Sequence, residues 1–166
     1  MAFPHPIRTP NPPPPTEDLI ADILAPRHAA HQRLLTRAIR LATQVERVHA
    51  THPACPHGLA DLLFLIGDDL EDHQQKEEAV LFPLMLSDAP PPLAEPLARM
   101  RRDHDDLTRQ VKDLRALTNG FAAPPAACET WRTLYAVCAR IDADLNAHIT
   151  LENDVLFPRF SVGSAV

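Results

Sequence analysis

Two stretches of the chain carry the same side chains at the same offsets. Asp69, Leu70, His73, Glu77, Leu81, Phe82 and Pro83 return as Asp144, Leu145, His148, Glu152, Leu156, Phe157 and Pro158, each displaced by 75 residues. A histidine and a glutamate four residues apart stand on one face of a helix. Each pair can therefore aim an imidazole and a carboxylate at the same point, and a carboxylate has two oxygens with which to bridge two metal ions. His28 and His104, 76 residues apart, extend the repeat to the elements that precede each pair. The chain thus reads as two copies of a helical hairpin, each with a histidine on its first helix and His-x-x-x-Glu on its second. His49 has no counterpart, because position 125 is proline. It lies three heptads after His28 and is expected to return to the inner seam of a supercoiled helix. The candidate metal ligands are His28, His49, His73, Glu77, His104, His148 and Glu152.

Five imidazoles and two carboxylates suit iron or zinc better than calcium or magnesium, which favour oxygen-only shells. Two six-coordinate ions need about twelve bonds; five nitrogens, two bridging carboxylates and one bridging oxide supply about eleven. That leaves about one position for a small ligand. A single tetrahedral zinc would use only four of these donors. His31 competes with His28 for the seam, and the repeat favours His28. Asp69 and Asp144, one turn before the paired histidines, are candidate acceptors for the second imidazole N–H. An iron-storage bundle is a weaker reading, since such sites use Glu-x-x-His pairs and several glutamates.

The elements that must carry these residues are helices. His28, His31, Leu35, Ala38, Ala42, Val45 and His49 follow a 3-4 spacing, and so do Leu97, Met100, His104, Leu107, Val111 and Leu114; this is the seam of a left-handed bundle. Four helices are expected: from Thr16 to about Ala50, from about His57 to Met85, from about Leu93 to Thr118, and from beyond Pro125 to about Phe157. Pro26 should kink or break the first, because its ring clashes with the carbonyl one turn back. Asn119-Gly120 is a good C-cap. No alternating β-branched segment suggests a strand. The expected fold is all-α, an antiparallel up-down-up-down four-helix bundle, over residues 16–160. A proline-rich tail (1–15) is expected to be disordered, and 161–166 form a C-terminal tail.

Composition narrows the partners. At 166 residues the chain fits one domain, and its net charge is −6. An acidic balance argues against nucleic acid or an anionic membrane as partner, because both need clustered Lys and Arg. No apolar run approaches the ~20 residues that span a bilayer, and the proline-rich start has no h-region of a secretory signal. Cys55, Cys128 and Cys138 are odd in number, without a C-x-x-C. They read as free, structural thiols in a reducing cytoplasm.

The sequence also resembles the hemerythrin-like, HHE cation-binding family, and within it the iron–sulfur cluster repair di-iron proteins. The resemblance rests on Thr43–His49, on His73-Gln-Gln-Lys-Glu77 through Pro83, on Asp103-His104-Asp105, and on His148-Ile-Thr-Leu-Glu152 through Pro158. It implies two non-haem iron ions with an oxo or hydroxo bridge, held by the seven residues named above. It further implies a role in the response to nitric oxide and oxidative damage, by binding or reducing nitric oxide or handling iron, with damaged iron–sulfur proteins as clients. The alternative is an oxygen or nitric oxide carrier or sensor without turnover. Repair proteins of this type carry a short N-terminal helical domain with adjacent cysteines, whereas about 15 proline-rich residues precede the bundle here and no Cys-Cys pair occurs.

Overall fold

The computed structural model describes residues 13–161, so the expected proline-rich tail and the last residues lie almost wholly outside the described part. Within it every regular element is helical. A short α1 (Thr16–Asp22) leads into α2 (Ala29–Val48), followed by α3 (Leu59–Lys76), a one-turn α4 (Phe82–Met85), α5 (Ala94–Leu117) and α6 (Glu129–Leu151). The expected seams face inward. Leu35, Ala38, Ala42 and Val45 of α2 are buried, and so are Leu97, Met100, His104, Leu107, Val111 and Leu114 of α5.

α2 packs on α3 and α6, and α5 packs on the same two helices, closing a four-membered ring. Neighbours run in opposite directions. Glu46, near the end of α2, accepts hydrogen bonds from the Gly58 and Ala60 amides at the start of α3. Those amides are among the donors a helix start leaves orphaned. Lys76, ending α3, donates to Asp103 near the start of α5. α5 closes at Thr118 with the Asn119 amide bonded to Ala116 and that of Gly120 to Arg115, both residues at positive φ. This is the cap expected of Asn-Gly.

Pro26 does not break the first helix. Ile23–His28 forms a π-helical turn that joins α1 to α2 without interruption. Two more π turns follow α3 and α6, at Glu77–Leu81 and Glu152–Leu156. In these, the Phe82 amide bonds the Glu77 carbonyl and the Phe157 amide bonds that of Glu152, each five residues back. The prolines explain the geometry. Pro83 and Pro158 have no N–H to give and would collide with the carbonyl four residues back. Widening the preceding turn by one residue absorbs both problems. Leu81-Phe82-Pro83 therefore does not end its helix; it sets the turn in which the glutamate sits.

Two apolar clusters fill the bundle. The larger one includes Leu35, Leu59, Leu63, Leu107, Val111, Leu114, Trp131, Leu134 and Ile141. The smaller one gathers Leu19, Ile20 and Ile23 against Leu81, Phe82, Met100, Leu156 and Phe157. A layer of buried polar side chains belongs to neither.

Candidate metal centre

That layer is made of His28, His73, Glu77, His104, His148 and Glu152, each at most 4% exposed. His28 comes from the π turn before α2, His73 from α3, His104 from α5 and His148 from α6; the two glutamates open the π turns after α3 and α6. Donor atoms of His73, Glu77, His104 and Glu152 lie within 4.8 Å of one another, and so do those of His28, Glu77 and His148.

The carboxylates are shared between two pairs of imidazoles. Glu77 places Oε1 at 3.3 Å from Nε2 of His73 and Oε2 at 3.4 Å from Nε2 of His28. Glu152 places Oε2 at 2.9 Å from Nε2 of His104 and Oε1 at 3.3 Å from Nε2 of His148. One position is thus framed by His73, His104 and one oxygen of each glutamate. The other is framed by His28, His148 and Oε2 of Glu77, with Oε1 of Glu152 beside His148.

These residues fit a pair of metal ions on the chemistry of their own atoms. Both oxygens of both glutamates, and Nε2 of His28 and His148, are buried without a hydrogen-bond partner. Nε2 of His73 and of His104 face each other at 3.2 Å. Leaving one buried polar group unpaired costs about 1–3 kcal/mol, so a converging set of this size is unreasonable in a packed core unless cations satisfy it. The outer nitrogens point the same way. Nδ1 of His28 donates to Glu78 at 2.7 Å, and Nδ1 of His104 donates to Asn153 at 3.0 Å. These bonds fix the tautomer whose Nε2 lone pair faces the centre.

Electrostatics follow from burial and crowding. Burial disfavours the charged His73, but the adjacent carboxylates of Glu152 and Glu77 outweigh it and hold its pKa at about 10. His28 is likewise raised, with burial opposed by Glu77 and Glu78. Burial would raise Glu77; the adjacent imidazoles of His28 and His73 prevail and bring it to about 2. His148, enclosed and beside other imidazoles, falls to about 3. Glu77 stays anionic and draws positive charge into the layer.

His49 is not part of this set. Its ring packs 4.9 Å from that of Trp131, and its Nε2 lies 3.2 Å from Sγ of Cys128. The seam argument gave the right face but ignored the rise. Twenty-one residues at ~1.5 Å each carry His49 ~30 Å along the axis from His28. His31 is buried beside the centre, its ring 5.3 Å from that of His148. Its Nδ1 accepts from Gln74 at 3.3 Å, and burial lowers its pKa to about 4, so it is a neutral neighbour. Asp69 and Asp144 do not serve the imidazoles; Gln110 donates to Asp69 and Arg140 to Asp144. Nδ1 of His73 and of His148 is buried without a hydrogen-bond partner, and acceptors stand instead behind His28 and His104, namely Glu78 and Asn153. Sequence reasoning missed them, although they too are 75 residues apart and each follows a glutamate of the repeat. Cys55 and Cys138 are buried, and Cys128 is exposed.

Comparison with known proteins follows the same outline. Residues 19–160 match the hemerythrin HHE cation binding domain. An iron-sulfur cluster repair protein YtfE from Musicola paradisiaca is 43% identical over 151 residues, covering 91% of this chain and 68% of that protein. The protein of the same name from Pectobacterium atrosepticum is 43% identical over 145 residues, covering 87% and 66%. That from Escherichia coli O157:H7 is 37% identical over 149 residues, covering 90% and 68%. The chain therefore spans about two thirds of the length of these relatives.

Proposed function

We propose, from the premise that this chain belongs to the hemerythrin HHE cation-binding domain family, that it is a non-haem di-iron protein of the iron–sulfur cluster repair type. In this reading it works in the cytoplasm in the response to nitric oxide and oxidative stress, by binding or reducing nitric oxide or by handling iron. Its clients would be damaged iron–sulfur proteins, as the relatives' name suggests. Among the described residues no helix is long and apolar enough to cross a membrane.

One observation carries the reading: each buried glutamate turns one oxygen to each of two imidazole pairs. His73 and His104 would hold one iron, His28 and His148 the other, with Glu77 and Glu152 bridging. When bound, the pair of irons supplies redox chemistry and open positions for a diatomic ligand. With His49 elsewhere, four nitrogens, four carboxylate bonds and a bridging oxide would supply about ten of twelve bonds, which would leave about two positions for a small ligand rather than one. The protein's own part is to hold the donors and to keep the surroundings dry. Leu35, Leu107, Val111 and Ile141 of the larger apolar cluster are all buried. An apolar wall admits a small neutral molecule more readily than a hydrated ion.

The test is metal analysis of iron-loaded protein combined with anaerobic optical spectroscopy before and after nitric oxide or oxygen is added. Two irons per chain and a visible absorption change are expected. A single ion, or zinc alone after iron loading, rejects the di-iron reading. Two irons with no response to either gas reject the ligand-binding part.

A further inference from the structure

The 75-residue repeat acts as an approximate two-fold that exchanges the two metal positions. It carries His73 onto His148, Glu77 onto Glu152 and, within one residue, His28 onto His104. His73 and His104 frame one position, and their repeat partners frame the other. A residue and its repeat partner therefore serve different metals, and any mismatch between them makes the metals unequal.

Such a mismatch stands directly behind the ligands. Glu78 and Asn153 occupy equivalent places and do the same job on equivalent imidazoles. Glu78 accepts the Nδ1 hydrogen bond of His28 at 2.7 Å, and Asn153 accepts that of His104 at 3.0 Å. One acceptor is an anion and the other a neutral amide. One further charge widens the gap. Arg101 donates to the same Asn153 oxygen at 3.3 Å, which sets a cation behind His104. Asp103 lies 3.8 Å from Nδ1 of His73, beyond hydrogen-bond reach, and is engaged by Lys76 and Arg99. An anionic acceptor draws the imidazole N–H toward itself and makes the opposite nitrogen a stronger donor to a cation; an amide backed by an arginine does so less.

We propose that Glu78 is a positioning residue that makes the two metal positions unequal, so that the position of His28 and His148 holds a divalent ion more tightly than that of His73 and His104. The inference rests on the two-metal reading above. Half exposure of Glu78 screens its charge, but the bond to His28 is direct and needs no long-range field. The duplicated bundle is thereby differentiated by a carboxylate-for-amide difference behind its ligands, without any change in the ligands themselves.

The test is titration of the metal-free full chain with cobalt(II) against a chromophoric chelator, which yields two stepwise constants. Glu78→Gln and Asn153→Asp change charge while keeping shape. Glu78→Gln should weaken the tighter step roughly 10–100-fold and leave the other in place. Asn153→Asp should strengthen the weaker step roughly tenfold. At one equivalent of cobalt, the paramagnetically shifted imidazole N–H resonance should move in Glu78→Gln and stay put in Asn153→Asp. A wild type that binds one ion overturns the two-metal reading and this inference together. A wild type that binds two ions, with both steps unchanged or equally weakened in Glu78→Gln, overturns this inference alone. If Glu78→Gln does not fold, Asn153→Asp decides, and an unchanged weaker step rejects the proposal.

Discussion

At the scale of single residues, three histidines of one seam have three different fates. His28 offers Nε2 to the centre while Glu78 fixes its other nitrogen. His31, one turn on, spends its Nδ1 on Gln74. His49 sits on the same seam but far along it, against Trp131. Replacing each with Ala should separate these roles. His28→Ala should lose at least one metal ion per chain, whereas His49→Ala should keep both. His31→Ala should keep both while losing some stability from the cavity it leaves. Metal content after desalting is the measurement, and loss of an ion in His49→Ala would refute the placement. The imidazole pKa values give a second expectation. Only neutral imidazole binds a metal, so ions must displace the protons held by His73, whose pKa is about 10, and by the similarly raised His28. His148, at about 3, has none to lose near neutrality. Metal uptake at pH 7 should thus release protons, and apparent affinity should rise with pH between 7 and about 10. A pH-indicator titration in weak buffer checks the sign; proton uptake would contradict it.

At the scale of elements, the π turns are the notable feature. All three contain a residue of the centre: His28 ends the first, and Glu77 and Glu152 begin the others. A helix interrupted this way must bury side chains on both sides of the bulge in a relation that regular α geometry would not give. Glu77 is buried in the polar layer, and Leu81 and Phe82 are buried in the smaller apolar cluster. One residue of slippage turns a helix by about 100°, so the bulge sets this alignment. Pro83→Ala restores a backbone donor and removes the ring clash that the π turn accommodates. The metal-free variant should keep its helix content, but bind metal at least about tenfold more weakly as the turn relaxes. Unchanged metal affinity would mean that packing alone holds the π turn.

At the scale of the whole molecule, the polar layer lies among two dry clusters and is shared by all four long helices. Each cluster excludes water from the donors, and each helix contributes at least one of them or leads into it. Stability and metal binding can nevertheless be separated. Leu134 is fully buried in the larger cluster, and 14 residues place it ~21 Å along α6 from His148. Leu134→Ala should cost about 2–5 kcal/mol while leaving two-ion uptake intact. Thermal unfolding with and without metal reads both quantities, since an ion that binds only the folded state raises Tm by mass action. A variant that folds but takes up fewer ions would show that the distant core also sets the centre.

The duplicated His-x-x-x-Glu and the 3-4 seams determined the all-helical fold and most of the candidate centre, because helix periodicity dictates which residues share a face. Periodicity carries no information on height along the bundle beyond the rise per residue, and it was height that removed His49. Nor does it register the sideways shift of a π turn, so Pro26 read as a kink or break. Only the tertiary structure decided which nitrogen of each histidine faces inward, that Glu78 and Asn153 stand behind His28 and His104 while Asp69 and Asp144 stand behind no imidazole, and that each glutamate divides its oxygens between two imidazole pairs. Those facts depend on contacts between helices whose partners lie 49 to 50 residues apart in the chain, where no local rule of spacing reaches.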